Sequence, residues 1–253
     1  MKIFIDITDK RNQVLKQILE DQGYETYELL QLNLHTDLSK KCIIFAPSKK
    51  LTLLDIESLP NDSMLFAGNL TDEVTNKLQT KNIEFTNIMQ SEEFAIKNAL
   101  LTSEGVLAYI LEHSNRSIFE NKVLILGAGR IAKATAQLFL KLGIEFGIAT
   151  YNHTEYTNAL YFTKKRYYEN SFLKDLNEYS VIINTRPFTY FTDDMINQIP
   201  PNTLFIETAS IPCLDSNKVD NFQYILAPAL PQKYTCETAG KILAERIIGE
   251  INK

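Results

Sequence analysis

The pattern with the most chemistry in it is Val123-Leu124-Ile125-Leu126-Gly127-Ala128-Gly129-Arg130-Ile131-Ala132. An apolar run of strand length meets a G-x-G-x-x-A turn, and a helical pattern follows it, which is the arrangement that receives a dinucleotide. Gly127 allows the tight turn, and Gly129 lets the backbone approach a pyrophosphate. Ala132 lets helix and strand pack closely, while the helix N-terminus presents oriented N–H groups to the anion. Gly127, Ala128, Gly129, Arg130 and Ile131 are therefore candidate contacts to a nicotinamide dinucleotide. An acid that holds the ribose hydroxyls is expected about 20 residues on, at the end of the second strand. Glu145 opens that strand at the wrong end, and Ala149-Thr150-Tyr151-Asn152-His153 offers no carboxylate before Glu155. Tyr151 and Asn152 become the candidate ribose contacts. Without the acid a 2′-phosphate meets no repulsion, so the choice between NADP and NAD leans slightly to NADP.

Two further loops follow strand-like runs, where the nicotinamide half of a cofactor would lie. Thr185, Arg186 and Pro187 come after Val181-Ile182-Ile183-Asn184, and Thr208, Ala209, Ser210, Ile211 and Pro212 come after Leu204-Phe205-Ile206-Glu207. Arg186 could hold a substrate carboxylate by two parallel hydrogen bonds, or be a solvated loop residue. Thr102-Ser103-Glu104-Gly105 reads either as a helix cap with its acid in the first turn or as substrate-facing groups. Arg186, Ser103, Glu104 and Ser210 are the substrate-orienting candidates, and the catalytic residue itself is not assigned. His35, His113 and His153 sit where surface or capping histidines sit. No metal-ligand spacing, nucleophile elbow or Walker loop is present.

Positioning these residues requires an α/β chain with two doubly wound parallel sheets. In residues 1–90 strands near Lys2–Ile7, Tyr24–Leu29, Cys42–Ala46, Met64–Ala67 and Glu84–Asn87 alternate with helical patterns. That segment reads as a substrate or partner domain, with Pro47-Ser48 and Gly68-Asn69 at its ligand edge. Residues 91–115 read as a connecting helix and residues 116–235 as a Rossmann domain one strand short of six. In the latter the Pro-rich segment with Leu230 and Pro231 forms part of a cofactor floor. Residues 236–253 read as a terminal helix at the domain interface, its apolar face Ala239, Ile242, Leu243 and Ile247 resting on the connecting helix.

The 253 residues carry a net charge of −5, with 45% hydrophobic and 23% charged residues. This is globular composition, and it argues against a nucleic-acid or anionic-membrane surface. The run Lys164-Lys165-Arg166 reads as a solvated loop or as a site for one small phosphate. Three scattered cysteines point to a reducing compartment, and the alternating start Met1–Ile7 is unlike a signal peptide, so a cytoplasmic protein is expected. No uninterrupted apolar stretch approaches a membrane span.

Taken in order, Thr102–Gly105, Gly127–Arg130, Ile183-Asn184-Thr185-Arg186-Pro187 and Ala209-Ser210-Ile211-Pro212 resemble the A-type subunit of dipicolinate synthase. So do Leu226-Ala227-Pro228-Ala229-Leu230-Pro231 and Glu237-Thr238-Ala239-Gly240-Lys241-Ile242-Leu243-Ala244. The resemblance covers residues 96–250 and, more loosely, the first domain. It implies a nicotinamide-dependent protein that works with a flavoprotein-like B-type subunit to make dipicolinate, the calcium chelator of bacterial spores. The small substrate would be a cyclic dicarboxylate. Ile211 stands where the family usually has an arginine, Cys213-Leu214 where it has glycines, and Gln232 where it has a small residue. Three readings follow: an oxidoreductase of this type, a dehydrogenase of another small carboxylate such as a 2-hydroxy acid, and a non-catalytic dinucleotide-binding subunit or sensor. A homo-oligomer is compatible with each.

Overall fold

Short apolar runs of four residues make the strands, and their alternation decides what each face buries. The computed structural model describes residues 1–35 and 40–253. By packing the chain divides into one unit of Met1–Asn98 with Pro231–Lys253 and a second of Ala99–Leu230. The first unit holds β1 Lys2–Ile5, α1 Lys10–Asp21, β2 Thr26–Glu28, β3 Lys41–Ile44, α2 Leu53–Glu57, β4 Met64–Ala67, α3 Asp72–Thr80 and β5 Glu84–Asn87. All pairings are parallel in the order β2-β1-β3-β4-β5. Successive side chains point to opposite faces, so Ile3, Ile5, Cys42 and Ile44 cluster with Leu15 and Leu19 of α1. Phe4, Ile43, Phe45 and Leu65 cluster with Ile56 of α2 and Val74 and Leu78 of α3.

α4 Glu92–His113 leads in the chain to the second unit, which holds β6 Val123–Leu126, α5 Arg130–Leu142, β7 Phe146–Thr150, α6 His153–Asn158, β8 Arg166–Tyr168, β9 Val181–Asn184, α7 Asp193–Asn197, β10 Leu204–Glu207 and β11 Gln223–Leu226. These six strands are parallel in the order β11-β10-β9-β6-β7-β8. That is the doubly wound dinucleotide-binding order, with its reversal between β6 and β9.

Two expectations from sequence are corrected here. The second sheet has its full six strands, because β8 lies inside the charged stretch that reads as loop. β8 is three residues long at the sheet edge with Tyr167 its buried residue, so it carries no apolar run. Its charges are used: Arg166 stacks on Tyr156 at 4.2 Å and donates to the Tyr156 carbonyl, and neighbouring Lys165 pairs with Glu178 at 2.6 Å. Charged side chains also keep an edge strand from pairing with other chains. The second correction concerns Thr102–Gly105, which cap nothing, since they lie in the middle of α4. Ser103 there donates its hydroxyl to the Leu100 carbonyl at 2.6 Å. α4 is long and apolar enough by composition to cross a membrane, but half of that window is buried inside the protein.

α8 Leu230–Tyr234 and α9 Cys236–Ile251 close the chain. Leu243, Ala244 and Ile247 of α9 are buried with Leu15, Leu19 and Phe94 in the first unit. The close approach of α9 to α1 falls at Gly240, where an added Cβ would stand 2.5 Å from Val14 Cβ and 2.9 Å from the Arg11 carbonyl. Gly249, on the same helix, would meet nothing within 4 Å. Replacing a helical glycine by alanine gains up to about 1 kcal/mol from backbone propensity, whereas overpacking costs about 1–3 kcal/mol. Gly249→Ala should therefore raise the urea midpoint and Gly240→Ala should lower it. The two shifts having the same sign would show that α1 and α9 do not pack this closely.

Candidate functional site

Parallel pairing sets Leu226, Glu207, Asn184, Leu126, Ala149 and Tyr167 on one rung across the second sheet. One residue further on, backbone N–H groups still reach across. Gly127 donates to the Ala149 carbonyl at 2.8 Å, Thr185 to Leu126 at 3.0 Å, Thr208 to Asn184 at 3.0 Å and Ala227 to Glu207 at 2.8 Å. The Thr185 and Thr208 hydroxyls donate to the same Leu126 and Asn184 carbonyls, at 2.9 and 2.6 Å. The loops thus leave the sheet together at its carboxyl edge, where open α/β sheets bind ligands.

At the point of reversal stands the glycine turn. Gly127 has φ 117°, and a side chain there would collide with Thr185 Oγ1, so the turn admits only glycine without strain. Gly129 is the N-cap residue of α5 and lends it no side-chain cap, and a Cβ at Gly129 would meet nothing within 4 Å. Open space before the uncapped N-terminus of a 13-residue helix suits a pyrophosphate. The buried Ala132 keeps the helix against the sheet. Ala128, Arg130 and Ile131 lie around the turn, half-buried or exposed. These residues fit a dinucleotide.

Beside the turn, two polar residues close apolar strands and are themselves buried. Glu207 is 1% exposed. It accepts from Asn184 Nδ2 at 2.8 and 3.0 Å and from the N–H groups of Ala209 and Cys213 at 2.9 Å each. Burial pushes its carboxyl above the ordinary value, and these donors pull it partly back. Asn184 also donates to the Arg186 carbonyl and accepts from the Arg186 N–H and the Tyr190 hydroxyl. Tyr190 and Phe191 both donate their N–H to the Cys213 carbonyl at 3.0 Å. The loops after β9 and β10, with Pro187, Ala209 and Ser210, are therefore one hydrogen-bonded body.

The other candidates occupy distinct places. Asn152 is the N-cap of α6, its Oδ1 accepting from the Thr154 and Glu155 N–H groups. The Tyr151 hydroxyl donates to Asn170, and its ring lies 3.7 Å below the Arg186 guanidinium. Arg186 is also 4.3 Å from the rings of Phe188 and Tyr190. Ser103 is buried within α4 and Glu104 is exposed on it. Leu230 is 1% exposed and packs where Gly105 leaves room on α4, and Pro231 continues α8. In the first unit Asn69 Nδ2 donates to the Ser48 carbonyl at 3.3 Å, and Gly68 crowds the Pro47 carbonyl, so those strand ends close on each other. There Arg11, 4% exposed, grips Asp9 at 2.6 Å and Ser48 at 3.0 Å. His35 packs on Phe4 and Tyr27, and His153 stacks on Tyr168 at 4.2 Å. Among the described residues no group of three or more His, Cys, Asp or Glu side chains could hold a metal ion. Asn184, Glu207, Phe188 and Tyr190 were not foreseen; the signal for the first two was a polar residue ending a run of three apolar ones.

No protein-family model matches the chain. Over 202 residues it is 23% identical to the A-type subunit of dipicolinate synthase from Bacillus subtilis (strain 168), an alignment covering 78% of this chain and 68% of that protein. The crystal structure of the corresponding dipicolinate synthase protein from Bacillus halodurans superposes with a TM-score of 0.84 at 20% identity, covering 100% of this chain and 98% of that one. The apo-structure of D-lactate dehydrogenase from Escherichia coli gives a TM-score of 0.63 at 11% identity over 100% and 96%. In sequence and in fold the chain thus resembles the A-type subunit of dipicolinate synthase, and its two-sheet α/β layout is also that of a D-2-hydroxy-acid dehydrogenase.

Removing the Glu207 carboxylate takes the acceptor from two buried donors, Asn184 Nδ2 and the Cys213 N–H, and from the half-buried Ala209 N–H, and each buried donor left unsatisfied costs about 1–3 kcal/mol. Glu207→Ala should lower the unfolding free energy by at least about 3 kcal/mol, read by urea denaturation. A loss below about 1 kcal/mol would mean the loops do not depend on it.

Proposed function

We propose that this chain is a cytoplasmic NAD(P)-dependent oxidoreductase of the dipicolinate synthase A-subunit type, acting on a dihydrodipicolinate-type cyclic dicarboxylate. The observation that carries the reading is the turn itself: Gly127 at φ 117° and Gly129 opening on empty space, at the strand reversal of a complete six-stranded sheet. The likeness to the dipicolinate synthase protein along the chain supports the substrate class.

In this reaction two hydrogens leave the dihydropyridine ring, one as hydride and one as a proton, and the ring becomes aromatic. A bound nicotinamide accepts the hydride. Aromatisation drives the step, so the protein's task is to hold the ring and to exclude competing orientations rather than to supply an exceptional base. This reading is supported by the loop tied down by Glu207, which carries Thr208, Ala209 and Ser210 at the carboxyl edge, with Thr185 and Pro187 on the neighbouring loop. Ser103 and Glu104 of α4 and the Leu230-Pro231 backbone complete the proposed set. Burial pushes the Cys213 thiol far up, which removes it as a nucleophile.

Ile211 favours a second reading. It stands 51% exposed in the loop where the resemblance sets an arginine, so the loop offers one cation fewer to a dicarboxylate. A dehydrogenase acting on another small carboxylate, such as a 2-hydroxy acid, fits that loop. We further propose a B-type partner subunit, since the curated relative is named as one subunit of its enzyme.

Two measurements test the function. Supplied with the dihydropyridine formed in situ, the protein should reduce NAD or NADP with growth at 340 nm, and turnover of 2-hydroxy acids alone would favour the second reading. Gly129→Val should keep the wild-type melting temperature and lose dinucleotide binding in calorimetric titration, because its side chain projects into the space held open for the pyrophosphate. Unchanged affinity would place the cofactor elsewhere.

A further inference from the structure

α4 is apolar on two sides, and among the described residues the fold covers one of them. Phe94, Ala95, Ala99, Val106 and Ile110 are buried. On the other side Ile96 is 46% exposed, Leu100 44% and Leu111 58%, and Leu107 is half-buried. At about 100° of helix per residue these four side chains fall within about 60° of one another, so they form one stripe. A helix of a globular protein is normally polar on the face it turns to water, and a helix apolar all round is a buried one. The outer stripe of α4 therefore has the composition of a covered surface.

The spacing says what covers it. Ile96, Leu100, Leu107 and Leu111 stand four, seven and four residues apart, a pattern that reads the same from either end. A second copy of α4, antiparallel about a two-fold axis between Ser103 and Glu104, sets Ile96 against Leu111 of the second copy and Leu100 against its Leu107. Each contact then occurs twice, as an isologous interface requires. The ends of the helix agree. α4 begins with the exposed acids Glu92 and Glu93, and the exposed Arg116, which enters no ion pair among the described residues, follows its last turn. Antiparallel pairing brings each acidic start toward the other copy's Arg116 and opposes the helix dipoles. A lipid surface fits less well, because the flanks of the stripe carry Glu93, Glu104 and Glu112, with Lys97 held by Glu93 and Glu245. Helices that lie on membranes carry Lys and Arg there instead.

We propose that α4 is the self-association surface of this chain, and that two copies pair as a symmetric dimer with their Ile96–Leu111 stripes antiparallel. Glu104 flanks the stripe at its middle, at the rim of such a pair, where a carboxylate keeps its water.

Sedimentation and cross-linking of the full chain test the pairing. The wild type should sediment at twice the 28.9 kDa of one chain at micromolar concentration. Symmetry repeats every substitution, so Leu111→Glu should weaken association at least about hundredfold by burying two unpaired carboxylates, with the far-UV circular dichroism unchanged. In a Cys236→Ser background, Leu100→Cys combined with Leu107→Cys should form a disulfide between chains under mild oxidation, and neither single variant should. The two positions are about 10 Å apart on one helix, too far to bridge within a chain, and the same separation keeps each from its own symmetry mate. A monomeric wild type overturns the proposal, as does a dimer that Leu111→Glu leaves intact, since another surface then holds it. Cross-linking by either single variant overturns the antiparallel register. A monomer that floats with phosphatidylglycerol vesicles, and loses them with Leu111→Glu, assigns the stripe to lipid and overturns the dimer.

Discussion

The second sheet depends on one rung. Because all of its strands run parallel and in register, Leu226, Glu207, Asn184 and Leu126 end their strands side by side, with Ala149 and Tyr167 on the same rung one residue before theirs end. Every loop that could touch a ligand starts one or two residues beyond. A register slip of one residue would turn each side chain to the other face, and the buried Asn184–Glu207 pair at the centre of the rung opposes it. Those side chains satisfy each other and the loop N–H groups only when β9 and β10 end together. The rigidity of the carboxyl edge is thus a hydrogen-bonding requirement as well as a packing one.

Charge and aromatic surface are arranged on that edge with different consequences. Where acid meets amide, at Glu207, the group is enclosed and no counter-ion is needed. Where arginine meets three rings, at Arg186, the cation is held in place but not neutralised. The first arrangement is complete within the protein, and the second leaves Arg186 Nη1 without an acceptor. Burial also keeps two cysteines as thiols, pushing Cys42 up to about 12 and raising Cys213 as well.

The first unit solves a different problem with the same strands. Both faces of its sheet are covered, and one cover is α9, which returns from the far end of the chain to lie on α1. Strand alternation explains why Ile3 and Ile5 meet α1 while Phe4 meets the opposite layer. Asp9 begins α1 as its cap and also holds Arg11, which reaches Ser48 after β3. That ion pair fixes the helix start against the carboxyl edge of the first sheet.

Much of this was legible in the sequence because local patterns carry it. A strand of Val123–Leu126, the G-x-G-x-x-A spacing and a helix with alanines on its inner face are dictated over about ten residues, and the structure places all three as expected. The α/β class and both parallel sheets follow from the same alternation of short apolar runs with helical ones. Other features lie between elements distant in the chain and leave no periodic trace. β8 is too short and too charged to show an apolar run, so only its neighbour β7 makes it a strand. Thr102–Gly105 have the composition of a helix start, yet a helix already under way since Glu92 overrides it. That Arg186, which follows β9, lies against Tyr151 after β7 was decided by tertiary structure alone. Strand order puts β6 between those two strands, and the Arg186 side chain spans the distance.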